Sequence, residues 1–431
     1  MSTWLGLMYI ILSIVLSILL SKKVNFGIMA MFFAFVLGYW CCGLTLADIL
    51  SYFPTRTIVI FIIYTIFFGY VRRGQIFNNI SMNIMYSFRK RPALVPFAIY
   101  LSAITVNGLC NGTAAFAIVG PIGYAIAAQA GFAPVIVAFA LTAGAGINFP
   151  WSMGGPIHQG ILSQYVSSQA VEKGLIYILE ANLLISTIGF IVVYLAARGY
   201  KPKNRTLDFR KSEPLTGKQK RILYVVLAVL SLVVIPSVTE MLAPNPVTAW
   251  ITAKIDTQII FLAGSVALAF MEIEKADTVI REDVPWSVIL MIAGTSMLVG
   301  LMNDFHIIGM LTEWITASIS PFWIIPILLA VAGLMTMVSN GITVIYALAP
   351  IVFSVSAQYV GVPFLGAYTA AYVGTQTPSC SPFSYGGAMA MVSATENTDR
   401  EKLFKQLLLV SICMMLLQVL IGCTGIFNLM Q

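Results

Sequence analysis

Residues 150–155 read PWSMGG and residues 382–387 read PFSYGG. One Pro-aromatic-Ser-x-Gly-Gly phrase stands twice in the chain, each time inside apolar sequence. Sliding residues 57–136 by 229 positions lays them on 286–365 without a gap. Pro92 then meets Pro321, Asn111 meets Asn340, Gly112 meets Gly341, Pro121 meets Pro350 and Pro134 meets Pro363. A three-residue insertion brings the two quoted phrases into register. Self-similarity over such a length marks one structural unit written twice.

Composition says where that unit lives. The chain is 59% hydrophobic and 10% charged, whereas soluble domains carry about 25% charged residues. Apolar runs at 4–20, 24–43, 57–71, 176–197, 221–238, 257–271, 286–302 and 404–426 approach or reach bilayer-spanning length. An all-α polytopic membrane protein follows. The first run is read as a crossing rather than a cleaved leader, because Lys22 and Lys23 follow it. Cys41, Cys42, Cys110, Cys380, Cys413 and Cys423 show neither zinc-site nor disulfide-framework spacing and read as small buried hydrophobes. For Cys110 and Cys380, contact with a thiophilic substrate is the alternative.

The net charge of +7 sorts by side instead of marking a nucleic-acid binder. If the chain starts outside, 21 of its 24 Lys and Arg residues fall inside, leaving Arg56, Lys173 and Lys254 outside. That is the positive-inside distribution. The polar segment 201–220 is a cytoplasmic linker between a first repeat, 1–200, and a second, 221–431. Each holds five crossings and one re-entrant hairpin. Five is odd, so the second copy is inverted and both termini lie outside a plasma (inner) membrane, an architecture of secondary transporters.

Within each repeat the polar knots locate the breaks. NGLCNGT (107–113) and SNGIT (339–343) interrupt apolar stretches whose arms look too short to cross comfortably, which predicts hairpins at about 93–128 and 321–357. The next segments, about 134–165 and 363–393, are interrupted by GAGINFPWSMGGPIHQG and GTQTPSCSPFSYGG and read as broken helices. Freed helix N-termini suit an anion, and freed carbonyls with hydroxyl and amide oxygens suit a small cation. No Asp or Glu occurs between Asp48 and Glu172 or between Glu313 and Glu396, and no Lys or Arg within 92–172 or 282–399. Proton carriers usually place a carboxylate in the membrane. Its absence favours a cation-coupled anion symporter, with proton coupling or antiport through His158 as the alternative. Asparagine beside glycine in apolar surroundings is expensive unless used, which points to function at Asn111 and Asn340. Trp151, Phe383 and Tyr385 either shape the pocket or pack. No enzyme motif, such as Gly-x-Ser-x-Gly or His-Glu-x-x-His, is present.

Two inverted repeats, Ser-Asn-x-Thr-like tips and Gly/Pro/Thr-rich breaks resemble the ion transporter superfamily, in particular the divalent anion:sodium symporters and related di- and tricarboxylate carriers. The resemblance covers about 57–200 and 286–430. It implies an elevator-type carrier that moves a small organic anion with sodium, a homodimer, and no organic cofactor. It implies substrate contacts at Asn107, Asn111, Gly112, Thr113, Gly155, Ser339, Asn340, Gly341, Thr343, Thr377, Ser379 and Ser381, joined by His158. Sodium contacts are implied at Asn111, Thr113, Gly154, Asn340, Thr343 and Thr375. The first tip reads Cys110-Asn111-Gly112-Thr113, a thiol where that pattern has a hydroxyl.

Overall fold

A computed structural model describes residues 26–152, 154–204, 211–242, 246, 250, 256–304, 313, 317–337, 339–359, 361–396 and 398–431. The apolar run 4–20, Arg205, Arg210, Lys254 and Met153 lie outside those residues. The described residues are helical and irregular, without strand. Among the described residues, seven helices are long and apolar enough to cross a bilayer.

In the first half, α1 (Phe26–Phe35) and α2 (Leu46–Ser51) precede α3 (Thr55–Arg73) and α4 (Ile76–Ser87). Then come α5 (Val95–Leu109), α6 (Gly112–Ala130), α7 (Pro134–Ala145), α8 (Gly154–Leu162) and the long α9 (Ser168–Ala196). Past the linker lie α10 (Gly217–Leu242), α11 (Thr257–Ala269), α12 (Ala276–Glu282) and α13 (Trp286–Asp304). After these run α14 (Pro321–Thr336), α15 (Gly341–Gln358), α16 (Phe364–Gln376), α17 (Tyr385–Val392) and α18 (Arg400–Gly422). The helix order repeats as the sequence does. Shifting by 229 lays the start of α6 on that of α15, and by 232 the start of α9 on that of α18.

The hairpin arms are longer than the polar knots suggest. The first pair covers 18 and 19 residues and the last arm, α15, covers 18. The knots are mostly helical: Asn107–Leu109 finish α5 and Gly112–Thr113 open α6, so only Cys110 and Asn111 turn the chain. Pro121 and Pro350 sit inside α6 and α15 without ending them.

The hairpin bases lie at opposite ends of α9. Ala93 at the first base accepts a bond from Tyr194 Oη at 3.0 Å, and Ala130 accepts one from Lys203 N at 2.9 Å, both near the C-terminal end of α9. At the other end, Tyr165 packs on Phe353 and Phe364, beside the base of the second hairpin. One apolar core gathers α3 and α5–α7 and another gathers α8, α13, α15 and α16.

The charged stretch 272–283 is an arm clamped to the end of α3. Asp283, its side chain only 2% exposed, pairs with Arg72 and, at 2.5 Å, with Arg73 Nε. Arg73 also reaches Glu282 at 2.6 Å and Glu274 at 3.1 Å. Removing a buried charge strands its partners, whereas exposed pairs contribute little. Asp283→Asn should destabilise the detergent-purified protein by about 2–3 kcal/mol, because both arginines retain some water, and so lower its thermal midpoint. Glu401→Gln, which breaks the exposed pair with Lys405, should leave the midpoint in place.

Candidate functional site

Each hairpin turns on an asparagine. Asn111 Oδ1 accepts from Ala114 N at 2.7 Å and caps α6; Asn340 Oδ1 accepts from Ile342 N at 2.9 Å and caps α15. The glycine that follows is dictated by close approach to the broken helix. A Cβ on Gly112 would stand 2.7 Å from the Ala145 carbonyl oxygen, and one on Gly341 3.0 Å from Thr375 Oγ1. The first tip is also tied down from the side. Asn107 Nδ2 donates to Ile147 O at 2.5 Å and Trp151 Nε1 donates to Gly108 O at 3.1 Å.

The breaks leave carbonyls without helical partners, and crossing helices supply donors. Asn182 of α9 donates to Gly146 O at 2.6 Å. Gln418 of α18 donates to Val373 O at 2.8 Å and to Thr377 Oγ1 at 2.5 Å. Neither residue stands out in the sequence, since each is one polar side chain inside an apolar crossing. Their burial marks them: both are fully enclosed, where an unused amide is costly.

Between tips and breaks lies a cavity of about 290 Å³, near the ~300 Å³ lower bound of small-molecule pockets. Of the residues read from the sequence, Asn107, Asn111, Gly112, Thr113, Gly154 and His158 line it from the first half, and Ser339, Asn340, Gly341, Thr375 and Ser379 from the second. Gly155, Thr343, Thr377 and Ser381 are not on its wall. Gly155 packs on the Pro150 backbone, Thr377 faces Gln418, and Ser381 Oγ accepts from Phe383 N at 3.4 Å. Thr343 lies within the first turn of α15. Helical register, which spacing alone does not fix, decides these facings.

The wall holds further residues that the sequence reading missed: Thr142, Asn148, Tyr372 and Gln376. Tyr385, one of the aromatics read either way, also lines the cavity, and its Oη lies 2.7 Å from Thr113 Oγ1, joining the first tip to the second break. His158 is buried, its Nδ1 2.9 Å from Tyr368 Oη and its Nε2 3.4 Å from Asn148 Nδ2. Asn148 Nδ2 also donates to Tyr372 Oη. Phe383 instead turns outward, 60% exposed, and meets Phe404 edge-on.

Among the described residues, no lining side chain is a carboxylate, ammonium or guanidinium. Four helices start at this wall: α6, α15, α8 and α17, through Gly112, Gly341, Gly154 and Tyr385. Each start carries about half a positive charge and unpaired amides. The far ends of α7 and α16 bring carbonyl oxygens to the same place, through Ala145, Gly146, Thr375 and Gln376. Helix-start amides have the chemistry to hold an anion, and neutral oxygens that to hold a small cation. The close approaches rank two substitutions. Gly112→Ala, opposed by backbone, should abolish solute uptake in membrane vesicles. Gly341→Ala, whose approach to Thr375 is wider at 3.0 Å, should retain part of it, with both proteins present at wild-type amounts by immunoblot.

The chain is similar in structure to the YdaH transporter of Alcanivorax borkumensis, with a TM-score of 0.63 and 12% identity. The match covers 98% of this chain and 97% of that one, so the two share a fold. No curated protein matches. The model of the CitMHS family, described as citrate transporter, matches residues 8–374. That agrees with the resemblance to di- and tricarboxylate carriers carried by the tips and breaks. The chain therefore belongs to the CitMHS citrate transporter family and is a multi-pass membrane transporter of the carboxylate-carrying kind, not an enzyme.

Proposed function

We propose that this protein is a secondary active transporter for a citrate-class di- or tricarboxylate, coupled to sodium, and that its hairpin-bearing parts move like an elevator against a fixed scaffold. The observation that carries the reading is the convergence of four helix N-termini on a cavity with no charged side chain. A polycarboxylate needs several separate amide clusters, and here they come from both halves. The hairpin bases at opposite ends of α9 support the inverted repeat that alternating access requires. The charge distribution supports a plasma-membrane orientation with both termini outside, and the family resemblance a homodimer. For sodium, the proposed ligands are oxygens where each tip meets its break: Asn111, Thr113 and Gly154 on one side, Asn340, Thr343 and Thr375 on the other.

A second reading is favoured by a specific feature. Freed carbonyls at Gly146, Ile147 and Val373 already accept bonds from Asn182, Asn107 and Gln418, while His158 lines the cavity. Proton coupling or antiport through His158 would use that group and need no sodium.

Two measurements separate these. Citrate should raise the thermal midpoint of purified protein only when sodium is present, since a ligand that binds the folded state stabilises it. Stabilisation without sodium, together with uptake driven by a pH gradient and lost in His158→Gln, would establish the proton reading instead. Asn111→Ala and Asn340→Ala each lose a cap of about 1 kcal/mol, too little to unfold the chain, and should abolish uptake. Wild-type uptake by either variant would remove the tips from the site.

A further inference from the structure

A second polar hollow, about 440 Å³, opens at the N-terminal end of α3, where Pro54–Thr57 face the end of α8 and the middle of α13. It lies at the opposite end of α3 from Arg72 and Arg73. Three features of its wall suit an oxyanion. Arg56 lines it and forms no ion pair among the described residues. The helix α3 begins there without a side-chain cap, and its first internal bond is Ile58 N to Pro54 O at 3.1 Å, so the amides of Arg56 and Thr57 precede the hydrogen-bond ladder. Ser296 of α13 reaches the same wall. It is 9% exposed, and among the described residues its hydroxyl has no partner, a costly state for a buried donor unless a ligand accepts from it.

The place of this hollow relative to the tip cavity gives it a purpose. On α3, Thr57 lines the outer hollow and Phe61, one turn further along, lines the tip cavity. On α8, Gly160 and Ile157 stand in the same relation. The two spaces thus share one helix seam and are about 6 Å apart along it. The layer between them is apolar and closed: Ile58, Phe61, Ile157 and Ile161 are all buried. Gly160 permits the closure, because a Cβ there would collide with the Thr57 side chain. The corresponding elbow of the second half is built differently. Under the 229-residue shift Pro54 corresponds to Asp283, and that elbow is held by the pairs to Arg72 and Arg73.

We propose that the outer hollow is a second anion site, at which Arg56, the first amides of α3 and the Ser296 hydroxyl hold carboxylates of the transported anion before the Phe61–Ile157 layer parts. The proposal rests on the carboxylate-transport reading above. A lipid phosphate would engage the same groups, and the test distinguishes the two sources.

Ser163 lines the hollow and bonds only its own helix, Oγ to Gly160 O at 3.1 Å, so Ser163→Cys places a thiol there with little change of shape. Its labelling by an anionic and by a cationic thiosulfonate is measured on full-length protein in nanodiscs, with the parent protein's labelling subtracted. The anionic-to-cationic rate ratio should fall about tenfold on adding Arg56→Gln, the scale of local charge attraction, and return with Arg56→Lys. Citrate should slow labelling severalfold in the presence of Arg56 and not in the glutamine variant. In proteoliposomes, Arg56→Gln should raise KM for citrate severalfold from the Arg56 face alone, with Vmax within twofold. Labelling indifferent to citrate, or to the charge at position 56, overturns the site; a lipid occupant gives the first of these results. If citrate protects the thiol but wild-type protein moves no citrate, the transport reading fails and the site stands.

Discussion

A helix interrupted inside a membrane exposes backbone groups that lipid cannot satisfy, and this protein is organised around that constraint. Every break is answered by a particular side chain. Asn182 takes the carbonyl that caps the end of α7, Gln418 takes one of α16 and Asn107 one from the first break, while Asn111 and Asn340 each take a single amide, Ala114 N of α6 and Ile342 N of α15. Ser384 does the same for α17, accepting from Gly387 N at 3.5 Å. The polar character of the site comes from helix ends and from neutral amide, hydroxyl and imidazole side chains, and not from charge.

That origin explains how the halves cooperate. The wall is shared: Thr113 of the first tip meets Tyr385 of the second break, and His158 and Asn148 of the first break meet Tyr368 and Tyr372 of α16. Tyr124 Oη of α6 donates to Ala390 O of α17 at 3.0 Å, and Ser393 Oγ donates to Phe116 O of α6 at the same distance. The first hairpin and the second half of the second broken helix are thus fastened as one body around the cavity, and a solute held there touches both repeats at once. The periphery is asymmetric: ion pairs close the elbow at Asp283, while a polar hollow remains at Arg56.

Much of this could be read from the sequence because a repeat constrains twice. Pro, Gly and Asn at matched positions located both tips and both breaks, and the missing Asp, Glu, Lys and Arg described the cavity's chemistry before any geometry was known. Other features escaped for physical reasons. A knot such as NGLCNGT looks disordered as text, yet an asparagine cap and a glycine beside a carbonyl let helix run to within two residues of the turn, so the arms came out longer than expected. Asn182 and Gln418 look like incidental polar residues until the carbonyls they serve are seen. Thr377, Ser381 and Gly155 have suitable chemistry but face other neighbours, a matter of helical phase. Their register against Asn148, Tyr372 and Gln376 emerges only when α16 and the first break are packed together.

The central claim is that four helix starts, without charged side chains, hold a polycarboxylate between the two tips. An experimental structure in nanodiscs with citrate at saturating concentration tests it most directly. The account predicts ligand density between Asn111 and Asn340, in contact with the first amides of α6 and α15. Unbroken helices through 146–153 and 377–384, or citrate held by charged side chains elsewhere in the molecule, would contradict it.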